Sequence, residues 1–187
     1  MNTRNLAVIA ILAALSIGTN YAMISLYNIK LMDLIVFIGG FCFGPLVGAL
    51  IGITSWVVYG TLNPLGFSMN IWLATMLSES IYGIVGGLVR KALSSYEIAS
   101  PAHERINTYV FFGAVGLLLT LTYDVITNIV FGYSFDLPIL FAILSGFMPF
   151  GLIHVMSNAV FFGFGCVPAI NAISSLTGGK NNGVSKK

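Results

Sequence analysis

Acidic, imidazole and amide side chains recur inside apolar stretches of this chain. Glu79 lies in "WLATMLSESIYGIVGGLVRK", Asp124 and Asn128 in "YDVITN", and His154 and Asn158 in "HVMSN". Asp124 and Asn128 are four residues apart, as are His154 and Asn158, so each pair shares one helix face. Such groups could serve catalysis, link helices, or bind the polar groups of a ligand.

The elements that position these residues are predicted to be membrane helices. The chain has 187 residues, of which 57% are hydrophobic and 7% charged, whereas about a quarter of a soluble domain is charged. The net charge of +2 gives no indication of nucleic acid. Cys42 and Cys166 lie in apolar runs without metal-ligand spacing, so we expect packing roles and neither a metal nor a cofactor.

The hydropathy pattern predicts an all-α integral membrane protein, a compact bundle of six transmembrane helices in one domain over residues 1–176. A mobile polar tail is expected at 177–187. The second span is short and must be tilted, extended or buried, and residues 137–147 are expected to form a separate helix or lid at one membrane face. The expected spans are 5–26, 33–44, 45–61, 69–89, 107–131 and 149–173.

The distribution of cations predicts the orientation. With a cytoplasmic N-terminus, six spans leave only Lys30 outside. Because positively charged loops favour the cytoplasm, we expect both termini to be cytoplasmic. The cations expected inside are Arg4, Arg90, Lys91, Arg105, Lys180, Lys186 and Lys187.

This topology places the polar residues at similar depths. Counting along each helix from the outer surface, Glu79 lies about 15 Å deep, Asp124 about 10 Å, His154 about 8 Å and Asn158 about 13 Å. An ionisable group in the bilayer costs several kcal/mol unless it faces a partner or a cavity. Either the residues line an outward-facing pocket, or Glu79, Asp124 and His154 only bridge helices.

The candidate ligand-binding residues are polar or aromatic side chains expected in the outer half of the bundle or in its outer loops. Trp56 and Tyr59 could equally belong to an interfacial aromatic belt, and Asn63 could only cap the "NPLG" turn. The full set is Lys30, Asp33, Trp56, Tyr59, Asn63, Trp72, Glu79, Tyr82, Tyr123, Asp124, Asn128, His154 and Asn158.

Sequence motifs argue against catalysis, and no catalytic residue is assigned. The chain has no Gly-x-Gly-Asp or Gly-x-Ser-x-Gly motif for an intramembrane protease, and no His-Glu-x-x-His zinc motif. Nor does it show the paired repeats with broken helices that are typical of a self-sufficient secondary transporter. We therefore expect a protein that is not an enzyme.

The layout resembles the substrate-binding S components of energy-coupling factor (ECF) vitamin transporters, which are six-helix membrane proteins. The first helix, "RNLAVIAILAALSIGTNYAM", carries Ala10-x-x-x-Ala14, extended by Gly18. "FCFGPLVGALIG" joins two short spans, and an Arg-Lys pair opens the predicted cytoplasmic loop. The resemblance implies that Ala10, Ala14 and Gly18 form the docking face for a transmembrane coupling subunit.

The resemblance also implies the activity. Substrate would bind from outside in a pocket formed by the later helices and the loop after the first. The chain would then reorient in the lipid of the plasma membrane against the coupling subunit, while two partner ATPases drive release. An acid-lined aromatic pocket suits a planar vitamin or cofactor precursor that is cationic or rich in hydrogen-bond donors. The alternative is a structural or assembly membrane protein whose polar residues only hold helices together.

Overall fold

The computed structural model describes residues 1–63, 66–93 and 102–176. The predicted tail at 177–187 and most of the predicted loop at 92–106 lie outside these residues. The described residues form helices and no strands. The seven α-helices are α1 Thr3–Ala22, α2 Met32–Phe43, α3 Pro45–Thr61, α4 Met69–Leu93, α5 Ala102–Ser134, α6 Ile139–Gly146 and α7 Leu152–Leu176.

Six of these helices overlap the six expected spans. By length and composition, α1, α4, the Ile106–Ser134 part of α5 and the stretch Ile139–Leu176 could cross a membrane. The helices α2 and α3, of 12 and 17 residues, are shorter but apolar. Helix α1 ends at Ala22 rather than near residue 26, and turns follow from its C-cap Met23. Further along this connection, Asn28 takes the left-handed conformation with φ +55°.

The short helix α2 is buried among other helices. It packs against α1, α3, α4 and α7, and Met32, Val36 and Phe37 on it are fully buried. It ends at Gly44, whose φ of +103° favours glycine, and Pro45 begins α3 at once. Neighbouring protein thus surrounds a helix that is too short to cross a bilayer unaided.

Glycines allow α2, α3 and α4 to approach backbone to backbone. A Cβ atom added to Gly83 of α4 would overlap the carbonyl group of Gly48 on α3. A Cβ atom added to Gly40 of α2 would overlap the carbonyl oxygen of Gly83. Small residues at such crossings permit the close packing that drives association where no hydrophobic force acts between helices.

An irregular turn separates α6 from α7. Residues Phe147–Gly151 form a π-helical turn, in which Met148 has the non-helical angles φ −108° and ψ 118°. Met148 precedes Pro149, whose ring disfavours helical geometry at the residue before it. The helix α6 packs against α5, and α7 begins at Leu152, three residues beyond the expected start of the sixth span.

Candidate functional site

A buried histidine joins three helices at the centre of the bundle. Nδ1 of His154 lies 2.9 Å from Oδ1 of Asp124, and Nε2 lies 2.7 Å from Oδ2 of Asp33. His154 and Asp33 are almost completely buried, and Asp124 is 7% exposed. When both acids are ionised, both ring nitrogens must donate, which makes the ring an imidazolium. The arrangement therefore connects α2, α5 and α7 through charge-assisted hydrogen bonds.

Amide and hydroxyl groups extend this connection to α4. The Asn158 side-chain amide donates to Oδ2 of Asp33 and, over 2.9 Å, to Oγ1 of Thr120. The Tyr82 hydroxyl donates to the same Thr120 oxygen over 3.0 Å, and Thr120 donates to the carbonyl oxygen of Gly116 over 2.8 Å. We call Asp33, Tyr82, Thr120, Asp124, His154 and Asn158 the buried network.

Glu79 is fully buried and is hydrogen-bonded to a tryptophan. Nε1 of Trp56 donates to Oε2 of Glu79 over 3.1 Å, and Nε1 of Trp72 donates to the Trp56 carbonyl oxygen over 3.0 Å. Glu79 forms no hydrogen bond with His154 or Asp124 in the described part of the chain. The direct bridge therefore runs from Asp124 through His154 to Asp33, and Glu79 is held by an indole.

Several buried oxygens around the network have no hydrogen-bond partner among the described residues. They are Oδ1 of Asp33, Oε1 of Glu79, Oδ2 of Asp124 and Oδ1 of Asn158. A buried acceptor without a donor costs about 1–3 kcal/mol. The Asp33 and Glu79 carboxyl groups lie within hydrogen-bonding reach of each other, and Asp124 is the residue of this set that also lines a cavity.

A cavity of about 610 Å³ lies next to the buried network. Its volume falls in the range of small-molecule sites. Its walls come from the connection between α1 and α2, from α5, from α6 and from the turn before α7, and Asp124 belongs both to these walls and to the network. The lining residues are Tyr27, Asn28, Lys30, Tyr123, Asp124, Thr127, Asn128, Phe131, Ala142, Ser145, Gly146 and Phe150.

Lys30 brings a cation to this wall. Its Nζ atom lies 5.3 Å from the centre of the Tyr123 ring and 5.9 Å from that of the Trp56 indole, which is cation–π geometry. Within the described residues, however, Lys30 forms no ion pair with a carboxylate.

The predicted site residues fall into three groups. Four line the cavity: Lys30, Tyr123, Asp124 and Asn128. Four others belong to the buried network: Asp33, Tyr82, His154 and Asn158. The remaining five lie on or near the α3 and α4 helices and do not line this cavity: Trp56, Tyr59, Asn63, Trp72 and Glu79.

The third group forms an aromatic cluster and a turn. The Tyr59 ring lies edge-on to Trp56, with the centroids 5.4 Å apart, and Tyr21 lies 5.3 Å from Tyr59 on its other side. Asn63 follows α3, and its carbonyl oxygen accepts from the Gly66 N–H over 3.2 Å.

Part of the cavity wall was not predicted from the sequence. Tyr27 and Asn28 lie close to the predicted site residue Lys30 in the loop "YNIKLMD", and this closeness could have indicated that they line the same cavity. No sequence feature indicated that Ser145, Phe131 and the residues of the turn line the cavity, because no charged residue lies among them. Asn28 also donates to the Phe150 carbonyl oxygen over 2.9 Å, which joins the first loop to the turn before α7.

The small residues of α1 face away from the bundle. Ala10, Ala14 and Gly18 are exposed, and a Cβ atom added to Gly18 would meet nothing within 4 Å. The opposite face of α1 is buried and includes Ile9 and Ala13. The stripe of small residues is therefore uncovered in this chain.

Fold and site together define a class: a multi-pass helical membrane protein with a ligand-sized cavity beside a buried polar network. Comparison with known families makes this specific, because the family model described as "ECF transporter, substrate-specific component" matches residues 4–164. The chain belongs to this family, which confirms the resemblance seen in the sequence. It is accordingly a plasma-membrane protein of a transport system. No curated protein and no solved structure matches the chain.

Proposed function

We propose that this chain is the S component that captures a vitamin or cofactor precursor from outside the cell. The observation that carries the proposal is the cavity of about 610 Å³, in a member of a family of substrate-specific components. The cavity combines aromatic rings with Lys30, the Asn128 amide and the Asp124 carboxylate. This composition supports a planar substrate held by stacking and by directed polar contacts.

Delivery of the substrate into the cell would depend on docking of this chain to its partner subunits and not on a reaction within this chain. The bound protein reorients in the membrane, with cytoplasmic termini, against a transmembrane coupling subunit that two ATPases drive. The exposed stripe of Ala10, Ala14 and Gly18 supports this docking role, because small residues one turn apart allow another helix backbone to approach closely.

A binding experiment tests the capture step. The protein is purified in detergent, native mass spectrometry identifies any retained small molecule, and melting is recorded with a panel of vitamins. We expect one compound to raise the melting temperature by mass action. Asn128→Leu, which removes an amide from the cavity wall, should abolish the shift. The control Thr122→Ala, on the exposed side of the same helix, should retain it.

The alternative role, a structural or assembly protein, draws support from His154, since both of its ring nitrogens are engaged by protein acids. If the network only holds helices together, no compound is retained and no vitamin shifts the melting temperature. That pair of results would overturn the capture proposal.

A co-purification experiment tests the docking step. In Ala10→Trp with Ala14→Trp, two indoles occupy the stripe, so we expect loss of co-purification with the coupling subunit and unchanged ligand binding. Leu118→Trp, at an exposed position of α5, is the control and should still co-purify. Co-purification of the double variant at the wild-type level would rule out this surface.

A further inference from the structure

We propose that the substrate is amphoteric: it carries an anionic group that binds Lys30 and a nitrogen hydrogen-bond donor that binds Asp124. This inference rests on the proposed function and specifies its substrate. A cationic or merely donor-rich molecule would use only one of the two polar ends of the cavity. Lys30 lacks a carboxylate partner, and Asp124 lacks a donor to one of its oxygens.

Lys30 presents a positive charge that no protein carboxylate neutralises by direct contact. Its ammonium group rests on the Tyr123 and Trp56 rings, and the described residues offer it no ion pair. The face of an aromatic ring attracts a cation but leaves its hydrogen-bond donors largely unused. A ligand carboxylate or phosphate would accept these hydrogen bonds while the rings stay in place.

Asp124 presents the opposite chemistry to the same cavity. His154 binds Oδ1 of Asp124, which fixes the orientation of the carboxylate, whereas Oδ2 is buried and has no donor among the described residues. Asp124 is more than nine-tenths buried and lines the cavity, so the cavity is the route that we propose for a donor that reaches Oδ2. A protonated amine meets this requirement.

The ionisable groups of the site place opposite charges at its two ends. The surrounding acids are Asp33, Glu79 and Asp124, and the surrounding bases are Lys30 and His154. A purely cationic ligand would leave Lys30 without an anionic partner, and a purely anionic one would leave Oδ2 of Asp124 without a donor. An unpaired charge is costly in a site of low dielectric. A ligand with an anionic group and a protonated amine pairs both ends.

Three matched probes test the inference: 4-(aminomethyl)benzoate with both charged ends, benzylamine with only the cation, and benzoate with only the anion. Melting of the purified full-length protein is recorded at one common concentration of each probe. We expect 4-(aminomethyl)benzoate to raise the melting temperature more than either of the other probes, because it alone pairs both ends of the site.

Two variants test which residue binds the carboxylate of the probes and which binds their amine. Lys30→Met keeps an apolar stem on the rings and removes the charge, and it should weaken binding of both carboxylate probes about tenfold or more while sparing benzylamine. Asp124→Asn leaves an oxygen for His154 and should weaken both amine probes while sparing benzoate. Lys30→Arg retains the charge and should keep most of the affinity for the carboxylate probes.

The inference is overturned when benzylamine or benzoate stabilises the protein as well as the two-ended probe, or when no probe shifts the melting temperature. It is also overturned when Lys30→Met binds all three probes like wild type, a result that stands even if Asp124→Asn fails to fold. These outcomes differ from failure of the proposed function, which requires that no compound is retained and no vitamin binds. A retained vitamin together with a failed probe series would reject only the amphoteric substrate.

Discussion

At the scale of single residues, the sequence indicated polar side chains within the helices but did not predict which of them contact each other. Asp124 and His154 were expected to lie at one depth, and the structure brings them within 2.9 Å of each other. The Glu79 partner was not predicted. Its donor is an indole on another helix, and only tertiary packing decides which of the polar groups at one level meet.

Trp56→Phe should destabilise the fold, because it removes the hydrogen bond to Oε2 of the buried Glu79. We expect a loss of about 1–3 kcal/mol, read as a lower melting temperature in detergent. Adding Glu79→Met, which removes the acid as well, should restore much of the stability. Tyr59→Phe is the control, and an equal loss there would contradict the explanation.

His154→Ala should destabilise the protein more strongly. It leaves two buried carboxylates, on Asp33 and Asp124, without their shared donor. Removing one partner of a buried ion pair typically costs about 3–5 kcal/mol. Melting in detergent measures the effect, and Met156→Ala, at an exposed position of α7, serves as the matched control. A His154→Ala protein that melts with the control would show that the bridge contributes little to stability.

At the scale of helices, small residues mark two kinds of surface that the sequence alone does not distinguish. Gly83 and Gly48 lie where α3 and α4 touch, whereas Gly18 lies on an uncovered face of α1. Both sets of small residues have the spacing that allows two helix backbones to approach closely in lipid. The contacts of the other helices decide which stripe is filled within the chain and which stays uncovered.

Gly83→Ala should lower the melting temperature, because the new Cβ atom would overlap the Gly48 backbone. Overpacking of this kind costs about 1–3 kcal/mol. Gly18→Ala places the same methyl group in open space, so melting should stay unchanged or rise slightly with the better helix propensity. The explanation fails if the two substitutions have the same effect.

At the scale of the whole molecule, composition and hydropathy were sufficient to predict a helical membrane protein, and the layout was sufficient to predict its family. The complete outline of the cavity was not predictable. The helix α6 and the turn that follows it contribute Ser145, Gly146 and Phe150 to its wall, yet they contain no charged residue. A cavity is a shape left between packed elements, and an apolar segment gives little local sign of which shape it borders.

The orientation predicted from the cations can be tested with single cysteines. In a background with Cys42→Ala and Cys166→Ala, Ser25→Cys lies in the connection after α1, and Thr3→Cys lies at the start of α1. A membrane-impermeant thiol reagent added to intact cells should label Ser25→Cys and spare Thr3→Cys, which should react only after lysis. The reverse pattern would invert the topology.

The hydrogen bond between the Asn28 side chain and the Phe150 carbonyl oxygen has a kinetic consequence. Together with the contact of the Tyr27 and Phe150 rings, whose centroids are 5.9 Å apart, it fastens the first loop across the cavity to the turn before α7. These are few interactions, so the time that a ligand stays bound should depend on them. In Asn28→Ala, association and dissociation should both become faster, by similar factors, as measured by stopped-flow fluorescence, while the dissociation constant changes little.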